Sequence, residues 1–243
     1  MSFEETTTIE EPDFIPQRLW DLLASPGRLM KNVGRWPRWW IAGLLIVIIN
    51  GVATTWEAPI LLQEYRSRPH PSALNSLISE EDFQEKLENS VGSKDSNKFA
   101  SVISSGMNSW GGTLVFSLVL GFFAKMAGGK GSFSQALGIV HWAALIPYGV
   151  GTLAKLALIL NTGEFGRITL SPAAFLPAES VGSFFFILLD SFADVTILWG
   201  LLVVVIGFEK VFKLDRSPAS LSVLMPWVLI TAVMAGFRLM VGL

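Results

Sequence analysis

Cysteine is absent from this 243-residue chain, and histidine occurs only twice, as His70 and His141. The missing thiol excludes disulfide frameworks, thiol nucleophiles and thiolate metal sites together, and says nothing against an exported loop. A zinc protease needs closely spaced His or a His-Glu cluster, and neither is present. Serine hydrolysis lacks a reachable base, His141 aside, and no Gly-x-Ser-x-Gly occurs. No metal, no cofactor and no enzymatic activity is therefore expected. A charge excess is missing as well: 18 Lys+Arg stand against 20 Asp+Glu for a net charge of −2, which gives no case for a nucleic-acid partner.

Apolar residues are what the chain has in excess, at 51% and a mean hydropathy of +0.51. That is too apolar for an ordinary soluble domain. They fall in blocks of about 20, the length that crosses a bilayer as helix. The blocks are Trp39–Trp56, Met107–Met126, Gln135–Leu160, Gly182–Phe208 and Leu221–Gly242. The expected fold is all-α, a polytopic bundle of five transmembrane helices with the lipid bilayer as its first partner. Trp39, Trp40 and Trp56 place indole rings at the two ends of the first block, where the membrane interface favours them. The residues ahead of that block begin acidic and Thr-rich, so it reads as a retained helix and not as a cleaved signal.

Lys and Arg set the orientation. Arg18, Arg28, Lys31, Arg35, Arg38, Lys125, Lys130, Lys210, Lys213 and Arg216 fall on one side, ten in all. Arg66, Arg68, Lys86, Lys94, Lys98 and Arg167 fall on the other, six, five of them in one long loop where the rule counts least. The N-terminus is expected to be cytoplasmic, and an odd number of spans then puts Leu243 on the opposite face.

Three regions outside the spans divide the chain further. Residues 1–13 read as a disordered acidic tail. Residues 14–38 read as cytoplasmic helices: Phe14, Ile15, Leu19, Trp20, Leu22 and Leu23 make an apolar face beside Arg18 and Asp21, and Ser25-Pro26 restarts a helix with Leu29 and Met30. Such a pattern either lies on the inner leaflet or packs under the bundle. Residues 57–105, inside the membrane domain 39–243, read as a small helical extracytoplasmic loop. In it Ser79 with Asp82 resembles a capping box, Phe83, Leu87 and Val91 follow at four-residue spacing, and a second helix from about Ser96 runs on into the second span.

Gly128-Gly129-Lys130-Gly131-Ser132-Phe133 has the look of a phosphate loop, but Gly131 follows Lys130 where Ser or Thr is required, and no strand precedes it. It reads as a turn between helices. Ser117/Gly121 and Ala232/Gly236 are small-xxx-small pairs, read as helix packing.

The informative residues are polar groups inside apolar blocks: Asn50, His141, Lys155, Asp190, Asp194 and Arg238. Each acid or base at mid-depth costs roughly 2.5–3.5 kcal/mol on insertion scales. Asp190 and Asp194 are four apart, which on a continuous helix puts them on one face. Rise per residue brings Lys155, Arg238 and Asp190 to the outer half of the bundle, with Asp194 deeper and His141 nearer the cytoplasmic side. Asp190 is expected to pair with Lys155 or Arg238. The cluster is either a buried ion-pair lock that fixes packing or a proton or cation relay.

Taken in order, these features resemble the Yip1/YIPF domain family of five-span membrane proteins, in its bacterial branch. The resembling residues are Pro16, Trp20 and Pro26 near the start, the turn Gly128 to Phe133, Ile146-Pro147 in the third span, Asp194 with Leu198-Trp199 leading to Gly207, and the acidic Ser79-Glu80-Glu81-Asp82-Phe83. Pro147 beside Gly149 and Gly151 is expected to kink the third helix around an internal cavity. The Asp-Leu-Tyr-Gly-Pro segment of eukaryotic members is missing, so small-GTPase binding is not carried over. The resemblance implies a membrane-organising protein without catalytic residues, with further copies of itself or other membrane proteins as partners. It also implies a bacterial inner membrane, with an endomembrane as the alternative. The competing reading is a small transporter, channel or lipid-moving protein using the Asp190/Asp194 site.

Overall fold

The structure is a computed structural model that describes residues 14–67, 95–164, 168–181 and 183–241. The acidic tail, His70 and the Ser79 to Val91 helix expected from the sequence lie outside the described residues. No strand occurs among the described residues, and five stretches are long and apolar enough to cross a membrane: Trp39–Leu61, Val102–Met126, Phe133–Thr162, Phe184–Val211 and Arg216–Arg238.

Two short helices precede them, α1 (Ile15–Ala24) and α2 (Pro26–Arg35), each opened by a proline in its first turn. The first span is α3 (Trp39–Ser67) and the second is α4 (Asp95–Met126). Both run past the ends that apolar content alone suggests. The third span is α5 (Phe133–Leu145), a π-helical segment Ile146–Gly151 and α6 (Thr152–Thr162). The fourth is two helices, α7 (Phe184–Phe192) and α8 (Val195–Val211), and the fifth is α9 (Arg216–Val241).

α5 is the centre. It is apolar all round and buried from Gly138 to Leu145, with α2, α3, α4 and α8 packed on it. α3 and α4 lie closest together because glycines face backbone: a Cβ on Gly51 would sit 2.8 Å from the Val102 carbonyl oxygen, and Gly106 faces Val47 in the same way. Gly121 packs on Ala136, so the Ser117/Gly121 pair does join α4 to α5. Ala232/Gly236 does not pack within the chain. Ala232 is exposed and nothing lies within 4 Å of a Cβ at Gly236, because α9 turns that face outward. The outer surface of the spans carries Val115, Leu118, Phe122, Val233 and Met234 in the open, an apolar area suited to contact with lipid.

α1 and α2 close one end of the bundle, here the near end. Leu22, Leu29, Met30 and Val33 are buried against it. Arg18 donates to the Trp36 carbonyl at 3.1 Å and lies 5.3 Å over the Trp142 ring, while Trp142 donates to the Pro37 carbonyl at 3.1 Å. Asp21 is buried and paired with Arg28. The opposite face of α1 leaves Phe14, Leu19, Trp20 and Leu23 exposed.

The glycine turn belongs to this end. Gly128 takes φ +89°, the left-handed region open to glycine, and Ser132 and Gln135 form a reciprocal capping box on α5. Lys130 N–H donates to the Phe212 carbonyl at 2.9 Å. A Cβ on Gly129 would come 2.7 Å from the Phe212 ring, and one on Gly131 would come closer still. The turn is wrapped on Phe212, and that contact explains Gly129 and Gly131.

Candidate functional site: a polar cavity at the far end of the bundle

Two irregular helices build the site. In the third span Pro147 has no N–H to give, and the chain widens into a π turn from Ile146 to Gly151. Asn50 of α3 donates to the carbonyl of Tyr148 at 2.9 Å, satisfying backbone that the widened turn leaves open, and to the Ile46 carbonyl of its own helix at 2.9 Å. Gly151 and Gly200 let α8 approach this turn, through Thr196 and Pro147.

The fourth span breaks at Ala193-Asp194. Asp194 is the N-cap of α8: its Oδ1 accepts from Thr196 N at 2.9 Å and Ile197 N at 3.4 Å, and Val195 N donates to the Leu170 carbonyl at 3.2 Å. The amides freed by the break thus find acceptors inside the membrane domain. This corrects the expectation of one acidic face. Asp190 sits on α7 and Asp194 caps α8, so the interruption between them removes the one-turn relation that four-residue spacing implies on a continuous helix.

The acids take different partners. Lys155 donates from Nζ to Asp194 Oδ2 at 2.9 Å, and Arg238 donates from Nη1 to Asp190 Oδ2 at 3.1 Å. Asp190 Oδ1 also accepts from Thr169 Oγ1 at 2.6 Å. Asp194 is 2% exposed and its carboxylate is fully used, whereas Lys155 and Arg238 are each more than a third exposed and keep N–H groups in hand.

Those spare donors face a cavity of about 350 Å³ lined by Asn50, Thr54, Glu57, Thr152, Lys155, Asp190 and Arg238, with Ala53, Ile159, Ile168 and Phe186 as apolar wall. Glu57 escapes a reading of the sequence that ends the first span at Trp56. Because α3 continues through it, its carboxylate enters the cavity beside the Lys155 charge. The signal available was helical continuity: Ala58, Ile60 and Leu61 prolong the apolar pattern beyond Glu57.

His141, grouped with the acids on sequence grounds, lies apart from them. It is fully buried in α5, with Nδ1 2.8 Å from the Leu137 carbonyl and 3.3 Å from Ser117 Oγ, and its ring is 5.7 Å from that of Trp39. α5 starts at the near end, and the whole π turn separates His141 from Lys155. Gly128, Gly129, Lys130 and Gly131 are likewise at the near end and take no part in the cavity. Among the described residues no group of three or more His, Asp or Glu is placed to hold a metal ion.

Fold and site together define an integral membrane protein of five spans, with Glu57, Lys155, Asp190, Asp194 and Arg238 gathered at one end around a broken helix. A family model described as the Yip1 domain matches residues 20–237, and the chain belongs to that family. No curated protein matches the chain, and no solved structure does.

Proposed function

We propose that this Yip1 domain protein is non-enzymatic and organises the bilayer, or other membrane proteins and further copies of itself within it, through the α1–α2 pair. The observation that carries the reading is the two-sidedness of α1: Arg18, Asp21 and Leu22 are tied to the bundle, and Phe14, Trp20 and Leu23 point away from it. A helix fixed on one side and apolar on the other is suited to lie in the membrane interface, wedged among headgroups. Each large side chain so buried contributes roughly 1.5–3 kcal/mol. The reading places this end in the cytoplasm of a bacterial cell, at its inner membrane, and Leu243 outside, in keeping with the ten cations on the near side. Reconstitution of wild type and of the Phe14→Ser/Trp20→Ser variant into vesicles tests it. Wild type should alter vesicle size or cluster protein, and the variant should insert and fold yet lose that effect. Equal behaviour of the two sinks the reading.

A small transporter, channel or lipid-moving protein is the second reading, and the far-end cavity favours it. Ionisable residues within spans are functional candidates by default. Flux or lipid scrambling in proteoliposomes, wild type against Asp190→Asn, tests it, and absence of both activities in wild type rejects it.

A further inference from the structure

We propose that the far-end cavity binds a primary-ammonium phosphate group, the headgroup chemistry of an aminophospholipid, with the ammonium on Glu57 and the phosphate between Lys155 and Arg238. The inference rests on the second reading only in taking the cavity as a ligand site.

Charge comes first. Three carboxylates, Glu57, Asp190 and Asp194, share two cations, and the two aspartates hold both in hydrogen-bonded pairs. Glu57 lines the cavity as the remaining acid, with no hydrogen bond to another described residue. A partly desolvated carboxylate without a donor favours a ligand that brings a positive charge and N–H groups. Thr54 and Thr152 add hydroxyl oxygens to the same wall. The cations are engaged through one nitrogen each, leaving guanidinium and ammonium donors exposed toward the cavity, the equipment that recognises a phosphate. The site thus offers a carboxylate to an ammonium and cationic donors to a phosphate, the two ends of a zwitterion.

Depth and size agree. Counting back from the span ends at about 1.5 Å per residue, Glu57 lies about 6 Å inside Leu61, Lys155 about 10 Å inside Thr162 and Asp190 about 9 Å inside Phe184, while Arg238 ends its span. That is at or just inside the hydrocarbon boundary, within reach of a lipid headgroup. A volume of about 350 Å³ suits a small polar group. Ile159, Ile168 and Phe186 supply apolar wall for the glycerol end of a lipid. Recognition through hydrogen bonds to Glu57 selects a primary ammonium over a quaternary one, which has no N–H to donate.

Native mass spectrometry of the full chain in detergent, delipidated and offered phosphatidylethanolamine, phosphatidylcholine and phosphatidylglycerol in turn, tests the inference. Phosphatidylethanolamine should be retained about tenfold or more over the other two, and Glu57→Gln should lose that preference, with Glu57→Asp restoring part of it. Glu57→Gln is expected to elute and melt like wild type, since Glu57 makes no hydrogen bond or ion pair with another described side chain. Competition by soluble O-phosphoethanolamine, with none by phosphocholine, would assign recognition to the free headgroup; selective lipid retention without competition would assign it to the intact lipid. Equal retention of the three lipids, or unchanged preference in Glu57→Gln, overturns the inference. Selective binding without flux or scrambling would reject transport and leave the inference standing, whereas activity without selective binding would do the reverse.

Discussion

Asp194 serves two structural ends through its two oxygens: Oδ1 caps α8 and Oδ2 holds Lys155. The two roles separate by substitution. Asp194→Asn keeps the capping oxygen and loses the charge, and Asp194→Ala loses both, so Ala should be the worse by about 1 kcal/mol in thermal unfolding in detergent. Lys155→Met strands a buried carboxylate and should cost about 2 kcal/mol, and adding Asp194→Asn to it should recover part of the loss because no unpaired charge remains. A double variant no more stable than Lys155→Met alone contradicts the pairing. At this scale the sequence was informative about identity and poor about geometry. Lys155, Asp190, Asp194 and Arg238 stand out as charges in apolar blocks, and helical rise brings Lys155, Asp190 and Arg238 to the outer half, with Asp194 deeper. The assignment of each acid to its base depends on the break at Ala193, which spacing does not reveal. Asp194 followed by Val195 and Thr196 does carry a helix-start signature, and its position in mid-span conceals it.

Single elements here are specified by what touches them. The turn from Gly128 to Ser132 is shaped by Phe212, so Gly131→Ala should destabilise by about 1–3 kcal/mol through overpacking, and Phe212→Leu in that background should return part of it. Independent, additive losses in the two variants would show that the ring does not set the turn. The π segment is held from outside by Asn50, and Asn50→Ala should cost about 1 kcal/mol by leaving the Tyr148 carbonyl without its donor. Unchanged stability in that variant would remove Asn50 from the account. Apolar block length located every span and missed the ends of several, because α3 and α4 continue as helix through polar residues such as Glu57 and Ser105 that face neighbours. Pro147 announced an irregularity in the third span, and its form, a widened turn, depends on contacts with α3 and α8 that sequence does not display.

As a whole the molecule has two chemically different ends. α1 and α2 close the near end, with Met30 against Gly207 and Val33 against Gly138. The far end opens between α3, the third span, α7 and α9 into the charged cavity. This polarity was legible in part, since the Lys/Arg distribution separates the ends and the amphipathic pattern from Phe14 marks the closed one. The mutual packing of the N-terminal helices was not, because Leu22 and Leu19 look alike in sequence and only the packing of α1 on α2 and the bundle decides which is covered. Cysteine accessibility in sealed vesicles measures the polarity directly, on a chain with no native cysteine. A membrane-impermeant maleimide should label Lys31→Cys from one face only and Glu57→Cys from the opposite face only. Labelling of both from the same face, or of Glu57→Cys from neither, would contradict a closed near end and an open polar far end.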